Sequence, residues 1–332
     1  MHVSTINGNS NALDENGLLW AFALSPLRRG GSELLNDWTR EHPCWLHFNL
    51  SDMRALRWLE RAPLPEFARE LLLDDDPRIR LRAHGAGLVA VLGDLHHDFA
   101  RDQEEGFGTL RLFCSDTCLI SARRHPLKTV DRVRRELHQG MQASTPVELL
   151  RQLIESLADT FADTVSALGE ELDRAEDGIL LGRIEGQGTS ELGRARRIMA
   201  RLRRHITADR NALLPLPTKI HDICVPRDQQ SMRETVERLD AVAQDLELVQ
   251  ERARLLHEEI AARFGEAMNR NVLLLSLVSV ALLPITLITG IFGMNVGGMP
   301  FSGTAHGFWW VMGGMLAFVV SALGLMHWRN VL

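Results

Sequence analysis

The chain has no tyrosine, two lysines (Lys128 and Lys219) among its 37 basic residues, four cysteines, and no charged side chain anywhere from position 271 to position 328. The missing tyrosine and scarce lysine read as genomic composition bias. The four cysteines, Cys44, Cys114, Cys118 and Cys224, are too few for a disulfide framework and fall in the part assigned below to the cytosol, where thiols stay reduced. A net charge of -6 argues against nucleic acid as the partner, and the absence of a phosphate-binding glycine loop argues against ATP as the drive. The missing charge is the informative absence. It divides a chain of ordinary average composition into a charged body and an uncharged tail of 58 residues.

The tail holds two apolar runs, 272–292 and 308–326, of 21 and 19 residues. About 20 apolar residues cross a bilayer, so the tail is expected to be a membrane hairpin. Arg270 precedes the first run, Arg329 follows the second, and the loop between them carries no lysine or arginine, which places both ends inside. Phe301, Phe308, Trp309 and Trp310 cluster at the outer end and Trp328 at the inner, as interfacial aromatic belts do. The polar N-terminus lacks the layout of a signal peptide, so the body is expected to stay in the cytosol.

Within the body, residues 18–24, 44–50, 87–95, 109–113 and 118–122 read as strands, and 52–61, 65–73 and 126–139 as helices. Residues 1–145 are therefore expected to form an α/β domain with helices packed on a sheet. From Pro146 the pattern changes to a 3.6-residue period, with Leu149, Leu150, Leu153, Ile154, Leu157, Phe161, Val165, Leu168 and Leu172 on one face and Thr145 as N-cap. That helix, a glycine-bearing turn and a returning helix from about 190 to 213 make a hairpin over 146–226. Nothing breaks the next helix before the first span, and Met232, Val236, Leu239, Ala243, Leu246, Ala253, Ile260 and Phe264 give it an apolar stripe. The expected plan is α+β: a stalk helix at 227–270, a first span at 271–293, an external loop at 294–307, a second span at 308–327 and an inner tail at 328–332.

A bare anchor needs one span and no polar residues, yet the first span carries Ser276, Ser279, Thr286, Thr289 and Gly290 and ends in Gly293-Met294-Asn295. Ser279 and Thr286 lie seven apart, on one helical face. Two spans cannot enclose a pore, but several copies around an axis can, each lending this face. Gly313, Ala317 and Ser321, four apart, suit close packing of the second span on the first. A membrane-anchored sensor or scaffold is the reading from another class; hydroxyls bonded back to their own helix would fit it.

Gly293-Met294-Asn295, set directly after a proline-bearing span and before a short loop and a C-terminal second span, resembles the signature of the CorA-type divalent metal ion transporters. The resemblance extends over the whole layout. It implies a pentameric funnel in the inner membrane, without enzymatic activity or a bound cofactor. The block Glu41-His42-Pro43-Cys44-Trp45-Leu46-His47 is similar to the ZntB zinc transporter branch, and the neutral loop Val296-Gly297-Gly298-Met299-Pro300-Phe301 favours that branch. The Met294 form of the motif is the one typical of magnesium members. The branch implies zinc as the transported ion, with cadmium, nickel and cobalt beside it and coupled protons as drive; a magnesium or cobalt channel is the alternative.

By the same resemblance, Asn295 forms a ring of amide oxygens at the outer mouth, and Gly293 lets the chain leave the helix there. Continued inward, the pore face takes in Gly290, Thr286, Leu283, Ser279, Leu275, Val272 and Met268, and Glu258 continues the stripe into a cytosolic funnel. No carboxylate lies in the spans, which argues against selection by dehydrated charged ligands. Since zinc prefers cysteine and histidine, His42, Cys44, His47, Cys114, Cys118, His221 and Cys224 are candidate cytosolic ligands, though burial explains His42, Cys44 and His47 as well and no spacing marks a zinc ribbon. The arginines at 194, 196, 197, 201, 203 and 204 are expected to pair with Glu170, Glu171, Asp173, Glu176 and Asp177 across the hairpin.

Overall fold

The computed structural model describes residues 17–24, 27–30, 43–85, 87–97, 106–180, 187–220, 226–294 and 306–328. It divides into two compact units, residues 1–255 and 256–332.

The first unit is built on a seven-stranded sheet. Its strands are β1 (Leu18–Leu24), β2 (Leu27–Gly30), β3 (Cys44–Asn49), β4 (Arg80–His84), β5 (Gly87–Leu95), β6 (Phe107–Ser115) and β7 (Cys118–Arg123). They lie in the order β2-β1-β3-β7-β6-β5-β4, and only β3 and β7 run parallel. β2 and β4 extend the sheet beyond the five strands expected. Both are edge strands, and β4 alternates Arg80, Arg82 and His84 with two apolar residues, the charged profile that keeps a free edge from pairing with another chain.

Helices α1 (Met53–Arg61) and α2 (Glu66–Leu73) cover one face of the sheet. Leu46 and Phe48 of β3, Ile120 of β7, Val91 of β5 and Phe113 of β6 meet Ala55, Leu59, Ala68 and Leu72 there. Asp52 starts α1 by accepting the Arg54 backbone N–H (2.9 Å). Gly17 has φ +70°, and a Cβ on it would fall 2.7 Å from the Ala55 nitrogen, so the entry to β1 needs a glycine.

The opposite face is covered by α3 (Lys128–His138), α4 (Pro146–Leu180) and α5 (Gln187–Leu213). With both faces covered, β5 is buried along its whole length and reads as continuous rather than alternating. α4 begins as expected. Thr145 Oγ1 accepts the Glu148 N–H (3.1 Å) and Glu148 accepts the Ser144 N–H (2.8 Å), a reciprocal cap. All nine apolar residues of its expected stripe are buried.

After the short helix α6 (Leu216–Lys219), α7 runs unbroken from Pro226 to Phe292, and α8 spans Gly307–Trp328. Met232, Val236, Leu239, Leu246 and Ala253 of α7 are buried in the first unit, while Phe264, expected on the same stripe, is exposed. The ion pairs across the hairpin differ in part from expectation. Arg194 does pair with Glu171 (3.2 Å), but Asp173 and Glu176 turn to Arg252 of α7 (2.7 and 3.3 Å), and Arg203 turns to Glu247 of α7 (3.1 Å). A third helix beside the hairpin divides its charges.

Candidate functional site

The second unit comprises the end of α7 and α8. α7 is the one helix among the described residues long and apolar enough to cross a membrane, and none of its apolar stretch is buried; the apolar part of α8 described here, 307–321, is shorter. Leu277, Pro284, Ile285 and Ile288 of α7 are half-buried, as are Val311, Met315 and Val319 of α8, while their neighbours are exposed. At 3.6 residues per turn these α7 positions share one side of the helix. Met268, Val272, Leu275, Ser279, Leu283, Thr286 and Gly290 fall in an arc of about 80° centred roughly opposite to it. The candidate pore face is thus the side of α7 that this unit leaves open. The small-residue stripe of α8 is not the sheltered one: Gly313, Ala317 and Ser321 are exposed, and the larger Val311, Met315 and Val319 take cover instead.

The hydroxyls on the open face bond back to the helix. Ser279 Oγ donates to Leu275 O (2.9 Å) and Thr286 Oγ1 to Leu282 O (2.7 Å). Each donation uses the only proton of the hydroxyl and leaves its lone pairs facing out, the part of the group a cation or its hydration shell would meet. α7 ends where the motif begins. The Gly293 N–H donates to Thr289 O (2.9 Å), and a Cβ on Gly293 would lie 3.0 Å from that same oxygen. Met294 is exposed, and Asn295 lies outside the described residues.

Ahead of its apolar stretch α7 has several of its acids in ion pairs. Arg210 binds Asp240, Arg254 binds Glu251 (2.6 Å), Arg263 binds Glu259 (2.7 Å) and Arg203 takes Glu247. Glu258 is exposed.

Of the candidate zinc ligands the structure brings together Cys44 and Cys118, register partners on β3 and β7, and no other described candidate joins them. His42, His221 and Cys224 lie outside the described residues. Cys44 and His47 are three apart on β3 and so project from opposite faces of the sheet. Cys114 pairs with Leu119 across β6 and β7, which puts Cys114 and Cys118 on opposite faces as well. Among the described residues no group of three histidine, cysteine or acidic side chains could hold a metal ion. Burial pushes the Cys44 thiol up to about 12, with Cys118 beside it adding to the shift, and burial takes Cys118 to about 11; both stay protonated. His47 is fully buried and held well below its usual value by desolvation, with Arg123 and Arg134 adding to it. Its Nδ1 shares the Ser121 hydroxyl (2.6 Å) with the Trp45 indole N–H (2.7 Å), and its ring stacks on Trp20. Two further carboxylates, Asp94 and Asp209, are buried in the first unit, and nothing in the sequence around either marks it out.

A family model described as CorA-like Mg2+ transporter protein matches residues 40–327. The chain belongs to the CorA family. Its class is therefore ion transport and not catalysis. Divalent cation transporter CmaX of Pseudomonas aeruginosa is 30% identical over 95% of this chain and 98% of its own length. Zinc transport protein ZntB of Yersinia enterocolitica is 29% identical over 87% of each chain. The solved structure of a full-length CmaX protein superposes with a TM-score of 0.78 at 31% identity, covering 95% of this chain and 99% of that one. The CorA-like fold, an α/β domain followed by a long helix, is thereby established. Within the family, this chain places its Gly-Met-Asn motif directly after the helix whose open side carries Ser279 and Thr286.

Proposed function

We propose that this CorA-family chain carries zinc across the bacterial inner membrane through a pore made by several copies, five on the family's pattern, with cadmium, nickel and cobalt as further cargo. The observation that carries the reading is the open, hydroxyl-bearing side of α7 leading to the Gly-Met-Asn motif, in a chain whose relatives include proteins named for zinc transport. Both termini are cytosolic and the motif faces the periplasm. The Asn295 carboxamides form a ring at that mouth, where amide oxygens accept hydrogen bonds from the hydration shell, so capture does not require stripping the ion. Thr286 and Ser279 offer further lone pairs inward. Leu283, Leu275, Val272 and Met268 make an apolar stretch suited to gating by dewetting. The acids of α7, with Glu258 nearest the pore stripe, raise the local cation concentration at the inner end. Import is the favoured direction: an interior-negative potential supplies about 2.3 kcal/mol per charge per 100 mV, and a divalent ion takes up twice that. Coupled protons are an added drive.

The second reading is a magnesium channel of the same fold, favoured by Met294 in the motif and by the description of the family itself. Reconstitution in liposomes separates the two. Zinc and magnesium entry are measured separately, with and without an inward proton gradient, for the native chain and Asn295→Ala. Zinc entry that rises with the gradient and is lost in an assembled Asn295→Ala variant is the expected result. Magnesium entry alone selects the second reading, and no flux of either ion overturns both.

A further inference from the structure

Two buried carboxylates meet at neighbouring residues of β5, Asp94 itself and Asp209 on the N–H of Gly93. Asp94 is 1% exposed, and three donors converge on it: the Leu95 N–H (2.7 Å) and the Thr129 hydroxyl (2.8 Å) on Oδ1, and the Thr129 N–H (3.1 Å) on Oδ2. It thereby caps α3, whose N-cap residue, Leu127, has no side chain that can. Asp209 of α5 is fully buried. Its Oδ1 accepts the Gly93 N–H (2.8 Å), and its equally buried Oδ2 has no hydrogen-bond partner among the described residues. Gly93 leaves the room for this: a Cβ there would fall 3.1 Å from Asp209 Oδ2 and 2.9 Å from His205 Nδ1.

The charges around the pair are unequally shared. Arg123 of β7 and Lys128 of α3 act on Asp94, with Asp163 of α4 also facing Lys128. On the side of α5, His205 stacks on Phe107 of β6 and is held neutral by burial and by Arg204. No ion pair to Asp209 forms among the described residues. Burial raises both acids, Asp94 to about 7 and Asp209 well above the carboxylate range, where the neighbouring Asp94 raises it further. With three donors and a helix N-terminus, Asp94 is the better home for a negative charge. The proton stays on Asp209.

We propose that the Asp94–Asp209 pair is a proton-binding site that sets how firmly α5 is held on the sheet, so that the pH on that side of the membrane regulates transport. α5 is joined to α7 by Arg210 to Asp240, Arg203 to Glu247, and the Gln250 amide to Met199 O (3.0 Å). α7 is the helix that carries the candidate pore face. Loss of the proton strengthens the Gly93 N–H bond to Asp209 but puts a second negative charge, with no ion pair among the described residues, into the buried packing of α5 on β5 beside Asp94, and that buried charge favours release of the helix. One linked proton moves the ratio of docked to released helix by up to about tenfold per pH unit.

The regulatory half rests on the transport reading; the site itself does not, and two experiments keep them apart. Thermal unfolding of the full-length protein in detergent is followed from about pH 5 to about pH 8 for the native chain and Asp209→Asn. An acid whose folded value is raised holds a proton that unfolding releases, so native stability falls as pH rises above the usual carboxylate range. The carboxamide of Asp209→Asn still accepts the Gly93 N–H but cannot ionise, so the variant gains on the native chain as pH rises. Parallel stability profiles overturn the proposal. Should Asp209→Asn fail to fold, the native protein still decides: an infrared band of a buried protonated carboxyl near neutral pH is expected, and its absence overturns the site. In liposomes, native flux should change with pH on the side of this domain, and Asp209→Asn flux should not. A variant as responsive as the native chain overturns the regulatory role. Absence of flux from the native chain at every pH refutes the transport reading and the regulation with it, and leaves the site to the stability profiles.

Discussion

Replacing Ser121 by alanine separates two roles for His47. The Ser121 hydroxyl is fully buried, accepts the Trp45 indole N–H at 2.7 Å and meets His47 Nδ1 at 2.6 Å. Alanine removes both contacts and leaves two buried polar atoms without partners, at about 1–3 kcal/mol each. A change of histidine tautomer recovers part of this, so the expected loss is roughly 2–5 kcal/mol. For a unit of this size about 1 kcal/mol lowers the melting temperature by about 2–4 °C, so the shift should reach about 5–15 °C. The assay is thermal unfolding of the full-length protein in detergent, paired with equilibrium dialysis against zinc. If His47 is a structural histidine, Ser121→Ala melts early and binds as much zinc per chain as the native protein. His47 Nε2 is buried without a hydrogen-bond partner among the described residues and is the atom that a metal would need. A His47→Ala chain that stays folded and binds one zinc fewer would refute the structural role, as would a Ser121→Ala chain that melts with the native protein.

The hairpin core and its surface should respond very differently. Phe161→Ala, at a fully buried position of α4, should cost about 3–5 kcal/mol in denaturant unfolding. Arg252→Ala breaks two solvent-exposed ion pairs and should cost under about 1 kcal/mol. Cys44 and Cys118, buried and held protonated, should resist an alkylating reagent at mildly alkaline pH and label only after denaturation; labelling of the native protein at the rate of a free thiol would contradict the burial.

The parts of this fold that follow a single period were legible from the residues. The apolar stripe of α4, its Thr145 cap and the continuity of α7 each depend on side chains within a few positions of one another. β2 and β4 were missed because edge strands are short and, in β4, charged by necessity, so they carry no core pattern. The Asp94–Asp209 pair was missed for a different reason. It brings together residues 115 positions apart through the packing of α5 on β5, and neither residue sits in a motif. The division of ion pairs between α5 and α7 is of the same kind, since the choice of partner for Asp173 is made by helix packing and not by spacing.

The membrane part shows where period and packing diverge. A rule based on small residues put Gly313, Ala317 and Ser321 at the contact, yet the sheltered stripe is Val311, Met315 and Val319, so close approach is not what orders this unit. Period alone could not have told the two stripes apart, because both recur every four positions. The face carrying Ser279 and Thr286 is the face that the unit leaves open, and its back-bonded hydroxyls fit an anchor as well as a pore, so the Asn295→Ala flux measurement is what separates the two. In an oligomeric family two spans per chain suffice, because what one copy leaves open the others can close. On the proposed function the polar side of α7 faces water and the rest of the hairpin meets the bilayer.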